Sequence, residues 1–439
     1  MNFLKYQNTF LKNLILLAFV TFVFLWDIKY YFFEARFIII LLVIPFLFDY
    51  KNYFKNINKT QIYFFSIIFF ILLHLIIISK LNRINIDHQR IYEIIFMYYF
   101  FIISFNYKKN IINNLNNLIY IFLLIFFPTI LLCQLVNPIK IQNIMSCYPG
   151  WFATHKILFL ENSHFGMISS SIIWYSILTF FQIKRSINYK LLIIFFIIFS
   201  FINVSTSFLF GFILTSIIVI ILFFKNLNYK ELFFIIFLLF TASAILIFNK
   251  ECFSRVNDTF KILNIKIFKN QIDKNQIDKN QINKSEKFTP NMSTGVYVNS
   301  FKVVLFSLKN NIFGYGINQN NEAFKKYFEA YTKENKIDSA IDFHHPNYQP
   351  DYLYKLNFKD ASNTLAKLLN EFGLFTIFIL YFLSKFLFNN NINLALKFFL
   401  ISPLISQLFF RGAGYFNGGF IFFLFFAIIL SFKKKYEKF

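Results

Sequence analysis

Apolar runs about as long as a lipid bilayer is thick constrain the fold of this chain more than any other feature. A membrane-spanning helix needs about 20 consecutive apolar residues, and the sequence contains about twelve runs that approach this length. Hydrophobic residues make up 57% of the 439 residues and charged residues only 15%. This composition does not suit a water-soluble domain of ordinary type. We therefore predict an all-α polytopic membrane protein.

The predicted spans form two groups on either side of one long polar segment. About nine lie in an N-terminal bundle, residues 1–248, and about three lie in residues 368–439, which end in a basic tail. The polar segment between them, residues 249–367, contains the low-complexity repeat KNQID at residues 269–284, which we interpret as an exposed linker without chemistry. The predicted spans are residues 10–26, 33–48, 61–79, 91–106, 117–136, 165–182, 191–204, 207–224, 231–248, 368–388, 393–410 and 416–432.

Lysine-rich loops indicate how the chain is oriented in the membrane. The net charge is +23, but the lysines lie in short clusters between apolar runs and form no continuous basic domain, which argues against binding to nucleic acid. Cytoplasmic loops carry an excess of lysine and arginine. We therefore expect both termini in the cytoplasm and residues 249–367 outside the cytoplasmic membrane. The lysine-rich segments assigned to the cytoplasm include DYKNYFKNINK, NYKKN, IKRSINYK and the tail KKKYEK.

Arginine does not follow the lysine pattern, since only Arg185 lies on the predicted cytoplasmic side. A planar guanidinium binds phosphate or carboxylate through two parallel hydrogen bonds, which an ammonium group cannot do. Each outward arginine could instead extend from a helix end to the membrane interface. As a set, they favour a phosphate-binding site on the extracytoplasmic side. The outward arginines are Arg36, Arg83, Arg90, Arg255 and Arg411.

Histidine shows the same outward bias, and His74, inside the third predicted span, is the exception. An intramembrane histidine can mark a functional site, but a single one is more often a packing residue. In the outer segment, His344 and His345 precede a proline, and no third ligand with regular spacing supports a metal site. A catalytic or hydrogen-bonding loop is therefore favoured over metal, and a solvated loop without a role stays open. The outward histidines are His88, His155, His164, His344 and His345.

Two further segments of the sequence have a readable pattern. VYVNSFKVVLFSLKN, residues 296–310, predicts an amphipathic helix on the membrane surface, and Gly314 and Gly316 after it predict a turn. The segment LFLENSHFG places four hydrogen-bonding side chains directly before an apolar run. They could bind or deprotonate a sugar hydroxyl, or they could cap the helix that follows. These four residues are Glu161, Asn162, Ser163 and His164.

Four motifs together resemble those of the O-antigen polymerase and ligase superfamily. DASNTLAKLLNEFGLFT, residues 360–376, resembles the superfamily signature, a His-Asn pair followed nine residues later by Gly-x-x-Gly. Ser362 and Asn363 occupy the His-Asn positions, and Gly373 and Thr376 those of the glycines. NNIFGYGIN resembles the Pro-hydrophobic-Gly-x-Gly element, and QLFFRGAGYFNGG resembles the arginine-and-tyrosine turn before the last span. LFLENSHFG resembles the Glu-Pro-Ser-His segment of repeat-unit polymerases.

The resemblance implies glycosyl transfer outside the cytoplasmic membrane from sugar chains carried on undecaprenyl pyrophosphate. It implies no metal or cofactor, because fixed arginines offset the charge of the pyrophosphate leaving group. The candidates for pyrophosphate binding are Arg255, Arg90, Arg83 and Arg411. The candidates for sugar binding are Asn162, Ser163, Ser362 and Asn363. The candidates for the general base are His344, His345, Glu161, His164 and Glu371.

Three functions are compatible with the sequence. A polymerase of lipid-linked repeat units, for O-antigen, capsule or a similar surface glycan, is favoured by the serine at the signature histidine and by the Glu-Asn-Ser-His segment. A ligase would pass the finished chain to lipid A core. A lipid-linked sugar flippase also has about twelve spans, but it should carry more charged or broken helices at the bilayer midplane. The expected partners are the lipid-linked glycan, membrane lipids and a chain-length regulator, in a bacterial inner membrane.

Overall fold

A computed structural model describes much of the chain as a bundle of helices. The described residues are 13–14, 16–17, 29–30, 33–34, 59–82, 108–136, 162–181, 187–202, 205–248, 292–335, 361, 363–411 and 420–431. The predicted span 91–106 lies outside them, as do most of spans 10–26 and 33–48. The described helices are α1 (Lys59–Asn82), α2 (Lys108–Val136), α3 (Asn162–Phe180), α4 (Ile187–Ile202), α5 (Thr206–Phe223), α6 (Tyr229–Phe248), α7 (Met292–Asn310), α8 (Asn320–Asn335), α9 (Thr364–Phe372), α10 (Thr376–Leu387), α11 (Leu394–Phe410) and α12 (Phe420–Ser431).

A two-residue hairpin is the only strand pairing in the described part of the chain. Lys29–Tyr30 (β1) pairs antiparallel with Phe33–Glu34 (β2), with Lys29 opposite Glu34. We predicted that the second span begins at residue 33, and this prediction is wrong for its first two residues.

Among the described residues, four helical segments are long and apolar enough to cross a membrane, which supports the membrane class of the fold. Their exposed surface is apolar as well: Ile221, Phe233 and Phe240 are each more than 70% exposed. Side chains of this kind suit contact with lipid and would be unfavourable in water. Shorter apolar helices cover residues 69–78, 165–180, 187–201 and 394–410. The four long segments are Asn110–Pro128, Ser207–Asn226, Tyr229–Ile247 and Thr364–Leu387.

Helix α11 forms the centre of the bundle. Every residue from Ala395 to Leu408 is buried, and the helix packs against α3, α5, α9 and α12. Glycine allows one of these contacts to be very close, because a Cβ atom at Gly211 of α5 would collide with the Ser406 side chain of α11. A helix that is buried on all sides is expected to be mostly apolar, and α11 has only a few polar residues, such as Lys397 and Gln407, within its buried part.

The predicted boundary between the outer segment and the tenth span needs correction. We placed the start of the span at residue 368, but helix α9 already begins at Thr364, where Asn363 caps it. The helix is then interrupted at Gly373, which has φ +56° and opens a 3-10 turn, Gly373–Phe375, before α10. The apolar run therefore contains two helices, because a positive φ breaks the α-helical backbone pattern.

The tight polar corner predicted between the seventh and eighth spans is confirmed. Helices α4 and α5 are separate, and the Ser205 hydroxyl accepts a hydrogen bond from the Phe208 amide at 3.2 Å as the N-cap of α5. The helix predicted over residues 296–310 is also confirmed. It is helix α7, which begins earlier than predicted, at Met292. Its location on a membrane surface stays a prediction.

Contacts between side chains fix the relative directions of the central helices. Helices α3 and α5 run in the same direction, and α11 runs in the opposite one. One end of the bundle, the motif end, therefore contains residues 162–166, 205–208 and 407–411. The other, the lysine end, contains residues 187–190, 223–230 and 393–397. The contacts that establish this order are Gly166 with Phe208, Trp174 with Phe212, Gly211 with Ser406, and Phe223 with Phe398.

Candidate functional site

The C-terminus of α11 is bound by three segments that lie far apart in the sequence. The last carbonyl groups of a helix have no partners within the helix and must be satisfied from outside. Here the donors come from α7, from the first turn of α5 and from the start of α9. The bonds are Tyr297 Oη to the Phe409 carbonyl at 2.8 Å, Ser207 Oγ to the Phe410 carbonyl at 3.1 Å, and Thr364 N to the Arg411 carbonyl at 3.1 Å.

Arg411, a predicted pyrophosphate-binding residue, is the residue at which α11 ends. Its backbone is extended, and its carbonyl also accepts from the Thr364 hydroxyl at 3.3 Å. A cation at a helix C-terminus is stabilised by the partial negative charge of the last carbonyls. Only 5% of the residue is exposed, so the structure closes the guanidinium off from bulk solvent.

The glycine turn, residues 311–319, docks on the junction between α9 and α10. Gly314 and Gly316 have φ of +80° and +101°, a region that side-chain-bearing residues rarely adopt. Backbone hydrogen bonds run in both directions between the turn and the junction. These bonds are Tyr315 N to Asn370 O at 2.9 Å, Gly316 N to Glu371 O at 2.9 Å, and Leu374 N to Ile312 O at 3.0 Å.

Glu371, a predicted candidate for the general base, is used to hold the same turn. Its carboxylate accepts hydrogen bonds from the backbone N–H of Asn318 at 2.8 Å and from the backbone N–H of Asn320 at 3.2 Å. The Lys367 ammonium lies 3.9 Å from the carboxylate, and both side chains are almost fully buried. A carboxylate occupied in this way is poorly placed to take a proton from a sugar hydroxyl, so the geometry favours a positioning role for Glu371.

A second bond between the same segments joins two asparagine side chains. Asn370 Nδ2 donates to Asn320 Oδ1 at 2.8 Å, and both residues are fully buried. Buried polar groups are stable only when they are hydrogen-bonded. The start of α8 is therefore tied to the end of α9 by side chains as well as by backbone groups.

Asn363, which was predicted to bind sugar, is the N-cap of α9. Its side-chain oxygen accepts from the Ala366 amide at 2.7 Å, and the residue is fully buried. Capping of this kind typically contributes about 1 kcal/mol to helix stability. The asparagine of the signature motif thus fixes where α9 begins, directly beside the Thr364 contact with Arg411.

His74 enters the site from α1, although we interpreted it from the sequence as a packing residue. Its Nε2 atom lies 3.0 Å from the Phe313 carbonyl of the glycine turn. Its ring stacks on Phe372 with 5.1 Å between the ring centroids and meets Phe375 edge-on at 5.7 Å. The signal in the sequence was a single histidine within an apolar run, but no pattern indicated its partner.

Tyr315 is the buried aromatic residue at the centre of the glycine turn. Only 2% of it is exposed, and the Lys326 ammonium lies 5.0 Å from the ring centroid. Burial raises the pKa of the Tyr315 phenol, because the charged phenolate loses solvation. The phenol therefore stays neutral over the physiological pH range and can be packed without a counter-ion.

The remaining predicted site residues have no described side chains. Asn162, Ser163 and His164 lie in the first turn of α3, which begins three residues before the predicted start at 165. This places them at the motif end of the bundle, as a sugar-binding or a capping role would require. The residues that lie outside the described part of the chain are Glu161, His344, His345, Ser362, Arg83, Arg90 and Arg255.

The structure thus brings together parts of four segments that were selected by motif. The glycine turn contacts the α9–α10 junction, α9 contacts Arg411, and the start of α3 lies at the same end of the bundle. Sequence patterns did not reveal the roles of Ser207, Tyr297 and Thr364, since serine, tyrosine and threonine are common at helix ends. No protein-family model, curated protein or solved structure matches this chain.

Proposed function

We propose that this protein polymerises oligosaccharide repeat units carried on undecaprenyl pyrophosphate, at the extracytoplasmic face of a bacterial inner membrane. The class of reaction is glycosyl transfer without a metal. The growing surface glycan would be O-antigen, capsule or a related polymer. The large outer segment, about twelve spans and cytoplasmic termini are part of the same proposal.

One observation supports the proposal above all others. The order and spacing of the motifs resemble those of the O-antigen polymerase and ligase superfamily. Residues of different motifs that contact each other are 47 or more positions apart in the sequence, yet the motifs meet at one end of the bundle. Groups that act on one substrate must lie close together in space, so a shared site requires the convergence that these motifs show. The same end is the one that the lysine pattern predicts to lie outside the cytoplasm.

The proposed reaction needs a base, an acceptor hydroxyl and a leaving group. The acceptor hydroxyl attacks the anomeric carbon of the donor sugar and forms a new C–O bond, while the bond from that carbon to the pyrophosphate oxygen breaks. The hydroxyl proton passes to the base, and undecaprenyl pyrophosphate leaves with the bonding electrons. Guanidinium groups stabilise the charge that develops on the leaving group.

The proposed roles of individual residues combine the sequence patterns with the contacts of the described residues. Arg255, Arg90, Arg83 and Arg411 are the proposed cations. Glu161, His164, His344 and His345 are the proposed bases, since Glu371 already binds two backbone amides. Asn162, Ser163 and Ser362 are proposed to bind sugar hydroxyls, whereas Asn363 acts on the site through the start of α9.

Deletion of the gene and electrophoresis of the surface glycan test the proposal. A polymerase is expected to leave a single repeat unit on lipid A core, or its equivalent on another carrier. Bare core together with accumulating lipid-linked polymer would instead identify the ligase. Loss of the surface glycan, with single repeat units trapped on the cytoplasmic side, would favour a flippase and contradict both transferases.

A further inference from the structure

We infer that His74 is a positioning residue of the site, which holds the glycine turn in place by donating a hydrogen bond from Nε2 to the Phe313 carbonyl. Its expected effect on glycan extension rests on the proposed function. Its expected effect on the turn does not, because that effect follows from the contacts alone. No motif includes this residue, and the contact joins positions 239 residues apart.

The hydrogen-bond partner determines which nitrogen carries the proton. A backbone carbonyl can only accept, so the 3.0 Å contact requires a hydrogen on Nε2. In the neutral imidazole, Nδ1 is then an acceptor with a lone pair. This tautomer is assigned from the partner, as is usual for histidine.

The other ring nitrogen shows that the imidazole is not there merely to fill space. Nδ1 is buried and has no hydrogen-bond partner among the residues that the structure describes. A buried acceptor without a partner is destabilising. A phenylalanine would fill the same volume between Phe372 and Phe375 without that penalty. The donation from Nε2 to the turn is the contact that a phenylalanine could not make.

The hydrogen bond acts on an exposed part of the turn, next to the Ile312 carbonyl that accepts from Leu374 N. Phe313 is 53% exposed, whereas Gly314 to Ile317 are buried. Fixing a backbone carbonyl there reduces the number of conformations that the turn can adopt. Because the turn binds Glu371 and the end of α9, the effect of His74 reaches the helix whose first residue contacts Arg411.

Two substitutions at position 74 separate the donor from the ring. His74→Phe keeps an aromatic ring and removes the donor, whereas His74→Gln keeps an amide N–H of similar reach and removes the ring. Phe70→Leu is the matched control, because Phe70 lies one turn earlier on α1 and packs on the same Phe375 at 4.9 Å without contacting the turn by hydrogen bonds.

Hydrogen exchange of the peptide that contains residues 311–320 measures the turn in the purified full-length protein. For His74→Phe we expect exchange that is faster by about tenfold, the factor that corresponds to the loss of one hydrogen bond. His74→Gln should restore most of the protection, and Phe70→Leu should stay near wild type. Exchange in His74→Phe equal to wild type, or equal loss in His74→Gln and His74→Phe, would overturn the inference.

Glycan extension by the same variants is the second measurement. We expect His74→Phe to lower kcat with little change in KM, because the turn positions catalytic groups and the residue does not touch substrate, and we expect His74→Gln to recover activity. If the wild-type protein extends no glycan while exchange follows the expected order, the positioning role is supported and the proposed function is not. If His74→Phe does not accumulate, His74→Asn, whose amide is too short to reach the carbonyl, replaces it.

Discussion

The two ends of the helix bundle are held together in different ways. At the motif end, hydrogen bonds join residues that are distant in sequence, such as His74 with Phe313 and Ser207 with Phe410, which are 239 and 203 residues apart. At the lysine end, the bonds are mostly local. Asn228 and Glu231, three residues apart, bind each other's backbone amides at the start of α6.

The packing of the helices at the lysine end leaves a space between them. A cavity of about 290 Å³ lies there, bordered by residues of α2, α3, α11 and α12, including Asn116 and Thr179. Asn389 Nδ2 at this end lies 3.5 Å from both the Leu430 and the Ser431 carbonyls, which are 41 and 42 residues further along the chain. This length is at the limit of a hydrogen bond.

The relative positions of distant segments are therefore specified most strongly at the motif end. Local caps and turns stabilise each helix by itself and leave neighbouring helices free to adjust. Hydrogen bonds between distant segments fix those segments relative to one another, which a reaction that depends on group positions requires. We expect changes at the motif end to affect both stability and glycan extension, and changes at the lysine end to affect stability alone.

The largest effect is expected from Gly373→Ala, which changes the junction between α9 and α10. The new Cβ atom would collide with the Ile312 carbonyl, and φ is +56°. The strained backbone alone costs roughly 1–3 kcal/mol, and the collision adds to it, so we expect a total of about 3 kcal/mol or more. The thermal midpoint of the detergent-solubilised protein measures the loss.

Leu374→Ala is the matched control for this change. Leu374 is the next residue, is 44% exposed and has an ordinary backbone conformation. The thermal midpoint of the Leu374→Ala variant should stay close to that of the wild type. Equal midpoints for Gly373→Ala and the wild type would show that the turn and the junction are not in contact.

Arg411→Lys should be the second largest change, with glycan extension as the measurement. It keeps the positive charge and loses the planar group that binds phosphate through two hydrogen bonds. We expect a loss of about tenfold to a hundredfold, the factor for one charge-assisted hydrogen bond. Arg185→Lys, in the predicted cytoplasmic loop, is the control and should extend glycan normally. Full activity of Arg411→Lys would exclude a bidentate role.

Glu371→Gln is expected to loosen the glycine turn without removing it. Glutamine keeps the shape of the side chain but supplies one acceptor oxygen for the two amides of Asn318 and Asn320. The expected destabilisation is about 1–3 kcal/mol. Faster hydrogen exchange in residues 311–320 would report it. Unchanged exchange would mean that the carboxylate does not hold the turn.

The smallest effect is expected at the lysine end, from Asn228→Ala. The substitution removes one half of the reciprocal cap at the start of α6, where the Glu231 amide donates to Asn228 Oδ1 at 2.8 Å. We expect a loss of about 1 kcal/mol in stability and no change in the length distribution of the glycan. A shortened glycan at unchanged protein level would remove the contrast between the two ends.

The sequence predicted the helices of this protein better than it predicted their contacts. Apolar runs of bilayer length identified α5, α6 and α11 to within about two residues, because burial in lipid or in a helical core requires an apolar surface. The start of α2 was predicted at 117 but lies at Lys108. Its first turns are rich in asparagine and become helical because Ile111 and Leu115 face the core.

The candidate site could be predicted only in part from the sequence. Motif resemblance selected Gly314, Gly316, Gly373 and Arg411, and the structure brings the segments that contain them together. It could not show that Glu371 binds the amides of the turn, since that depends on how two distant segments align in space. It also could not show the partner of His74, because an isolated histidine has no period or spacing to interpret.

Cysteine labelling from outside the cell tests the central claim, that the densely bonded motif end faces away from the cytoplasm. Lys325→Cys on the exposed face of α8 and Lys225→Cys at the exposed lysine end would be compared in spheroplasts, in a chain from which the native cysteines have been removed. A maleimide that cannot cross the membrane should react with Lys325→Cys in intact spheroplasts and with Lys225→Cys only after lysis. Reaction of Lys225→Cys alone before lysis would place the motif end in the cytosol and contradict the account.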